Sequence, residues 1–91
     1  MNKGELVDKV AETANITKKQ ADVIVTAAIE SITEAVAAGE KVTLVGFGTF
    51  EARKRQAREG RNPKTGETMQ IAESVVPAFS AGKLFKDKVA G

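Results

Sequence analysis

The chain has 91 residues, 14 of them basic and 12 acidic, and it contains neither histidine nor cysteine. The lack of cysteine excludes disulfides and thiolate metal sites, and the lack of histidine removes the usual general base and the commonest metal ligand. No apolar run approaches the roughly 20 residues of a membrane span, and the N-terminus has no apolar signal segment. We therefore expect one soluble cytoplasmic domain with no cofactor, small-molecule substrate or membrane partner.

Residues 1–40 have the apolar spacing of two helices. Asn2 with Glu5, and Thr17 with Gln20, match the capping box that opens a helix, and Gly39 is the expected end of the second one. The second helix has a wide apolar face, which includes Ile24, Val25, Ala28, Ile29, Ile32 and Val36. Because so short a chain is marginal alone and the first helix covers only part of that face, we expect an obligate homodimer.

From residue 41 the apolar period changes to two, which predicts antiparallel strands. We expect a short strand at 41–45, a turn at 46–48, and a second strand from 49 that leaves the core near residue 53, where both of its faces become polar.

The chain then returns to the body. Met69, Ile71 and Val75 share one face of the returning strand, which we expect Pro77 to end. Ser80 is the expected cap of a last helix, residues 80–91, and the four phenylalanines are expected in the core.

Positive charge is concentrated in the basic segment, residues 53–66. This segment has six cations and one anion, so its net charge is +5 in a chain whose total is +2. It contains no apolar side chain larger than Ala57 and Pro63, so it cannot bury itself. We interpret it as a hairpin that projects from the body toward phosphates. A disordered basic loop is the alternative, and the two overlap if the hairpin is mobile until it meets a partner.

The tip of this hairpin combines turn residues with groups suited to DNA. Proline between Asn62 and Lys64 is an ordinary turn former. It is also one of the apolar wedges that minor-groove proteins insert between base steps. Arg61 and Asn62 beside it suit the acceptors that line the minor groove. Together these features favour a DNA-binding hairpin over a plain turn.

Two other nucleic-acid modes fit less well. Lys18, Lys19 and Gln20 open the second helix as in a groove-reading helix-turn-helix, but residues 1–40 carry seven carboxylates against four lysines. Residues 46–50 match part of an RNA-recognition strand, but the basic segment has no aromatic ring on which bases could stack.

Two rivals from other classes stay open. A structural dimer module would lack salt-dependent DNA affinity, and an enzyme is disfavoured because no side chain sits in an activating constellation.

The whole chain resembles the HU/IHF family of bacterial histone-like DNA-bending proteins, and the HU branch more than the IHF branch. The motifs that carry the resemblance are Met1-Asn2-Lys3 with Glu5-Leu6, Gly46-Phe47-Gly48-Thr49-Phe50, Gly60-Arg61-Asn62-Pro63-Lys64-Thr65-Gly66, and Pro77-Ala78-Phe79 ahead of Lys83. The resemblance implies an α+β fold: an intertwined homodimer with an N-terminal two-helix base (1–40), an antiparallel sheet extended into a long basic β-ribbon arm (41–77), and a short C-terminal helix (80–91).

The resemblance also implies a function and roles for particular residues. The protein would bend, wrap and compact double-stranded DNA in the nucleoid of the bacterial cytoplasm, with little sequence preference and a preference for bent, nicked or gapped duplex. Pro63 would intercalate, with Arg61 and Asn62 in the minor groove beside it. The arm would meet DNA through Arg53, Lys54, Arg55, Arg58 and Lys64, and flanking phosphates would meet Lys3, Lys83 and the N–H groups of Gly46 and Gly48.

Overall fold

The computed structural model describes the backbone of residues 1–91 and every side chain except that of Ile71. The elements in chain order are α1 (Lys3–Ala14), α2 (Lys18–Ala37), β1 (Val42–Leu44), β2 (Gly48–Arg55), β3 (Arg58–Arg61), β4 (Thr68–Ile71), β5 (Ser74–Ala81) and α3 (Lys83–Ala90). They fall into two compact units, Met1–Glu34 and Ala35–Gly91. The predicted α+β order of two helices, an antiparallel sheet with a ribbon, and a short last helix is confirmed.

The two helices begin as their sequences predict. The side chain of Asn2 accepts a hydrogen bond from the Glu5 N–H at 2.9 Å. Thr17 and Gln20 form the reciprocal capping box, in which each side chain accepts from the other residue's N–H, at 3.1 and 3.0 Å. These bonds satisfy N–H groups that the first turn of a helix leaves free.

The first unit has a small core. Its buried side chains are Val7 and Ala11 of α1 and Ala21 and Val25 of α2. Along the predicted apolar face of α2, Ile24 and Ile29 remain 55% and 47% exposed. The helix therefore buries only part of its apolar surface within a single chain.

Gly39 ends the second helix, as predicted. Its φ of 89° lies in the left-handed region, where glycine is favoured. The Gly39 N–H donates to Val36 and the Glu40 N–H to Ala35, at 3.0 and 2.9 Å. This pair of bonds is the Schellman arrangement that satisfies the last carbonyl groups of a helix.

The strands form two antiparallel sheets. β1, β2 and β5 make a three-stranded sheet with β2 in the centre, and β3 and β4 make a separate two-stranded one. β1 pairs with β2 only from Gly48 to Phe50, whereas β5 follows β2 from Gly48 to Arg55. Beyond Phe50 the sheet is therefore a two-stranded ribbon. We call residues 53–76 the arm.

Two predictions for the return to the body are wrong. Pro77 does not end its strand, because β5 continues to Ala81 and pairs Pro77 with Ala52. β5 is an edge strand, where a residue without an N–H is tolerated. Ser80 is not a helix cap, because it lies in β5. The last helix starts at Lys83, and its N-cap, Gly82, has no side chain to offer.

The predicted apolar face of the returning strand is only partly described. The strand is broken at 72–73 into β4 and β5, and Met69 and Val75 are 48% and 68% exposed in the single chain. The side chain of Ile71 lies outside the described residues.

Candidate nucleic-acid interface

The arm leaves the body where the sequence predicts. Within β2 the residues from Thr49 to Ala52 are half-buried, and the three that follow, Arg53–Arg55, are exposed. Ladder pairing with β5 ends at Arg55 and Ser74, and it resumes between Arg58 and Ile71. Residues 56–57 and 72–73 thus interrupt the ladder between the root and the outer part of the arm.

The tip of the arm is a closed turn around an exposed proline. The last ladder pair is Arg61 with Thr68. The Gly66 N–H donates to the Asn62 carbonyl at 2.7 Å, and the Asn62 N–H donates to the Glu67 carbonyl at 2.8 Å. Gly66 has a φ of 72°, which a side chain would strain. Pro63 is exposed at this turn.

The side chain of Asn62 helps to hold the turn. Its Oδ1 accepts a hydrogen bond from the Lys64 N–H at 2.9 Å, which bridges over Pro63. This is the local Asx turn that asparagine commonly forms with the backbone two residues on. Its amide nitrogen therefore carries the hydrogen-bond donors left for a partner.

The arm cations fall into two groups among the side chains that the structure describes. At the root, Arg53 contacts Glu51 at 3.2 Å and donates to the Ser80 hydroxyl at 2.9 Å. Lys54 lies 3.1 Å from Glu73, in the interruption of the ladder. Among the described side chains, Arg53 and Lys54 are the arm cations that form ion pairs. The other four cations have no ion pair among the described side chains: Arg55 at the end of the root ladder, and Arg58, Arg61 and Lys64 beyond it.

Glu51 organises the charge at the root. Lys41 reaches its other oxygen at 3.3 Å, so one carboxylate bridges two cations. The hydrogen bonds from Arg53 and from Lys41 hold the pKa of Glu51 below its ordinary value. The carboxylate therefore stays ionised at neutral pH and offsets part of the positive charge where the arm begins.

A second basic position lies where the β1–β2 turn meets α3. The Gly46 carbonyl accepts from the Phe85 N–H at 3.1 Å, and the Phe47 carbonyl accepts from the Gly82 N–H at 2.8 Å. These bonds bring Gly46 and Lys83, two of the predicted flanking contacts, to the same end of the sheet. Lys83 is exposed in the first turn of α3, where the helix dipole favours an anion.

Gly48 is placed differently from Gly46. It is buried, and a Cβ built on it would lie 2.5 Å from the Phe79 ring and 2.6 Å from the Ser80 carbonyl oxygen. Close packing therefore accounts for the glycine, and its burial argues against a direct phosphate contact there.

Lys3, the other predicted flanking contact, lies at the start of α1 in the first unit. Its Nζ is 3.9 Å from Asp22 on α2, and more than half of each side chain is exposed. An exposed pair at this distance contributes little to stability, so the lysine can exchange its partner at low cost.

The four phenylalanines pack against one another and away from the tip. Phe47 stacks on Phe85 at 5.1 Å, and Phe50 meets Phe79 at 4.7 Å between ring centroids. Phe47 and Phe79 stay 45% and 40% exposed in the single chain, so the predicted core position is only partly reached. Rings engaged with each other do not form a free platform for bases.

Comparison with known proteins decides the family. The family model described as bacterial DNA-binding protein matches residues 1–90. The chain belongs to this family. DNA is accordingly its partner, and the basic arm is the part of this bacterial DNA-binding protein whose charge suits DNA phosphates.

Several relatives of this bacterial DNA-binding protein carry the name DNA-binding protein HU. The one from Nostoc sp. is 71% identical over 99% of this chain and 96% of its own length. The one from Synechocystis sp. is 64% identical over 99% of this chain and 96% of its own.

Two solved structures share the fold over nearly the whole chain. An Anabaena HU–DNA cocrystal structure is 71% identical, with a TM-score of 0.93 over 99% of this chain and 98% of that one. HU from Thermotoga maritima is 42% identical, with a TM-score of 0.70 over 98% of both chains.

Sequence reasoning missed the anions that hold the root of the arm. Glu51 and Arg53 are two residues apart on one strand and so share a face, a signal that strand alternation contains. Glu73 meets Lys54 only because of the register between β2 and β5, and Ser80 meets Arg53 for the same reason. No local pattern in the sequence fixes that register.

Proposed function

We propose that this protein is an architectural DNA-binding protein that bends, wraps and compacts double-stranded DNA. Two arms, one from each chain of a homodimer, would lie in the minor groove. Pro63 at each tip would enter a base step and kink the duplex. The observation that carries the proposal is the exposed Pro63 on a hydrogen-bonded turn at the end of a basic two-stranded ribbon.

The chemistry of the arm supports this mode of binding. The ribbon has two exposed strands, and two-stranded ribbons are among the elements that DNA grooves accept. Four arm cations bring hydrogen-bond donors and positive charge and have no ion pair among the described side chains: Arg55, Arg58, Arg61 and Lys64. Arg61 lies in the last ladder pair before the turn. Such contacts read phosphates and groove shape more than bases, so sequence preference should be low.

The exposed apolar surface supports the homodimer. No large side chain is fully buried among those described, and the first unit's core consists of four small or medium residues. Ile29 on α2 and Val89 on α3 are 47% and 74% exposed. A second copy that covered such surface would supply the burial that one chain lacks.

Contacts outside the arm complete the proposed path of the DNA. Lys3, Lys83 and the N–H of Gly46 would hold phosphates on either side of the kink, while we assign buried Gly48 to packing. Such a protein would reside in the bacterial nucleoid. Bent, nicked or gapped duplexes would bind best, because their deformation costs less.

The experiment that tests the proposal is a binding titration on nicked and intact duplexes of one sequence across a salt series, with single-stranded DNA as competitor. We expect the nicked duplex to bind at least roughly tenfold more tightly, since bending an intact site costs on the order of 1–6 kcal/mol and a saving of about 1.4 kcal/mol is tenfold in affinity. Equal affinity for both duplexes would contradict a bending function. Preference for the single strand would indicate the alternative single-strand-binding mode.

A further inference from the structure

We infer that Met69 makes DNA binding by the arm sensitive to oxidation. A hydroperoxide converts its thioether to a sulfoxide, and the oxidised arm binds and bends DNA less well until a sulfoxide reductase restores the thioether. The inference rests on the proposed function, because it assumes that the outer arm, residues 58–71, lies against DNA.

Met69 is the sulfur-containing residue of the outer arm. The chain has two methionines and no cysteine, and the other methionine is Met1. Met69 is 48% exposed. Its ladder partner is Gly60, which has no side chain to cover the thioether. A peroxide in solution therefore reaches Met69 without unfolding the arm.

Met69 lies on the same face of the outer arm as Arg58. Gly60 pairs with Met69, and Arg58 is two residues before Gly60 on β3, so strand alternation places all three on one face. Arg58 and Met69 are diagonal neighbours across the ladder, a spacing that long side chains bridge. Arg58 is one of the cations that the proposed function brings to DNA phosphates. DNA held by Arg58 therefore also covers Met69.

The oxidation transfers one oxygen atom and two electrons. A lone pair on the Met69 sulfur attacks one oxygen of the hydroperoxide, and the O–O bond breaks as the S–O bond forms. A proton passes to the other oxygen, which leaves as water or as an alcohol. The sulfur is oxidised and the peroxide is reduced, so no further reactant is needed. Two thiols of a sulfoxide reductase reverse the change, and they form a disulfide while the oxygen leaves as water.

The sulfoxide changes what this face presents to DNA. The thioether is apolar, whereas the sulfoxide is polar and its oxygen accepts hydrogen bonds without donating any. The DNA backbone along the arm presents phosphate and sugar oxygens, which are acceptors as well. The sulfoxide oxygen therefore loses water there without gaining a donor from the backbone, which weakens the complex. Where it accepts from Arg58 instead, it takes that donor away from a phosphate, with the same result.

The test compares the parent with Met69→Leu. Leucine keeps an apolar side chain of similar volume and removes the sulfur, while Met1 stays oxidisable in both proteins. Each protein is treated with hydrogen peroxide, and the sulfoxide at Met1 and Met69 is quantified by mass spectrometry of peptides. Affinity for an intact duplex and the bend angle are then measured by fluorescence transfer. Treated samples are measured again after repair by sulfoxide reductases specific for each of the two sulfoxide epimers, with a dithiol as reductant.

We expect peroxide to lower the affinity of the parent roughly tenfold and to reduce the bend, because each of the two arms brings one sulfoxide oxygen to the DNA. Repair should restore both quantities, and Met69→Leu should bind and bend like the untreated parent before and after treatment.

Three results would overturn the inference and leave the proposed function intact. The first is an equal loss of affinity in Met69→Leu, and the second is unchanged binding and bending by a parent whose Met69 is oxidised. The third is a Met69 that resists peroxide under conditions that oxidise Met1. An untreated parent that binds DNA without bending it would refute the proposed function, and the inference with it.

Discussion

The ion pairs at the root of the arm lead to a prediction about salt. If all twelve cations of two arms neutralised phosphates, log affinity would fall with log salt at a slope of about −11. With the paired Arg53 and Lys54 left out, eight arm cations remain, and the arms contribute about −7 to the slope. Arg58→Gln should make it shallower by about 2, one unit for each arm. Arg53→Gln should change it by less than half as much, because Glu51 and Ser80 already engage that guanidinium.

The assay is a fluorescence titration of an intact duplex at five or more salt concentrations, at pH 7. Both substitutions remove one arginine from the arm, and Glu51 keeps Lys41 as a partner when Arg53 is lost. The variants are therefore matched in charge; they differ in the pairing of the residue that is removed and in its strand, β2 for Arg53 and β3 for Arg58. Equal changes in slope would show that the root ion pairs open on DNA, and they would refute the count of eight. A parent slope near −1 would mean that the arms do not follow the phosphates at all.

Three further predictions concern stability. Ile29→Asp should place an unpaired charge in the dimer interface and so abolish the dimer and most of the folded state, whereas Ile29→Leu should not. A stable folded monomer of Ile29→Asp, seen by sedimentation and circular dichroism, would contradict a core shared between the chains. The pKa of Glu51 is lower in the folded chain than its ordinary value of 4.5, so the ionised carboxylate stabilises the fold at pH values above 4.5. This stabilisation is lost as the pH falls through the folded pKa. Glu51→Gln should therefore lower the urea midpoint at pH 7 and differ less from the parent at pH 3. Gly48→Ala should destabilise by about 1–3 kcal/mol through its clash with Phe79, while Gly4→Ala in α1 should be neutral or stabilising; equal midpoints for the two would refute the packing argument.

Local signals in the sequence predicted most of the fold correctly. The helix caps at Asn2 and Thr17 and the helix end at Gly39 depend on residues only a few positions apart. The sequence therefore predicts them directly. The point where β2 leaves the body was also visible, because both faces of the strand turn polar at Arg53. The turn at the tip follows from Asn62 and Pro63, whose preferred conformations are local properties.

The errors arise where pairing with a distant strand overrides a local signal. Pro77 commonly ends a strand, but here it occupies an edge where its missing N–H leaves the ladder intact. Ser80 is a good helix cap by type, yet its position opposite Thr49 keeps it in β5. Ser80 beside Arg53 and Glu73 beside Lys54 were missed for the same reason, since register between strands has no short sequence signature. The sequence also predicted the apolar face of α2. This face is exposed in the single chain, as expected if a second chain covers it in the dimer.

The measurement that most directly tests the central claim is the bend angle produced by Pro63→Ala on a duplex with a donor and an acceptor dye at its ends. The substitution keeps every arm charge, and alanine fits the exposed turn, so phosphate-driven affinity should fall little. The wedge is lost, and the extra wrapping that compensates for unstacking the base step is lost with it. We predict that the bend and the preference for nicked duplex both fall markedly, while affinity for intact duplex changes less than roughly threefold. If Pro63→Ala bends DNA as sharply as the parent, Pro63 is only a turn former and the proposed kinking mechanism is wrong.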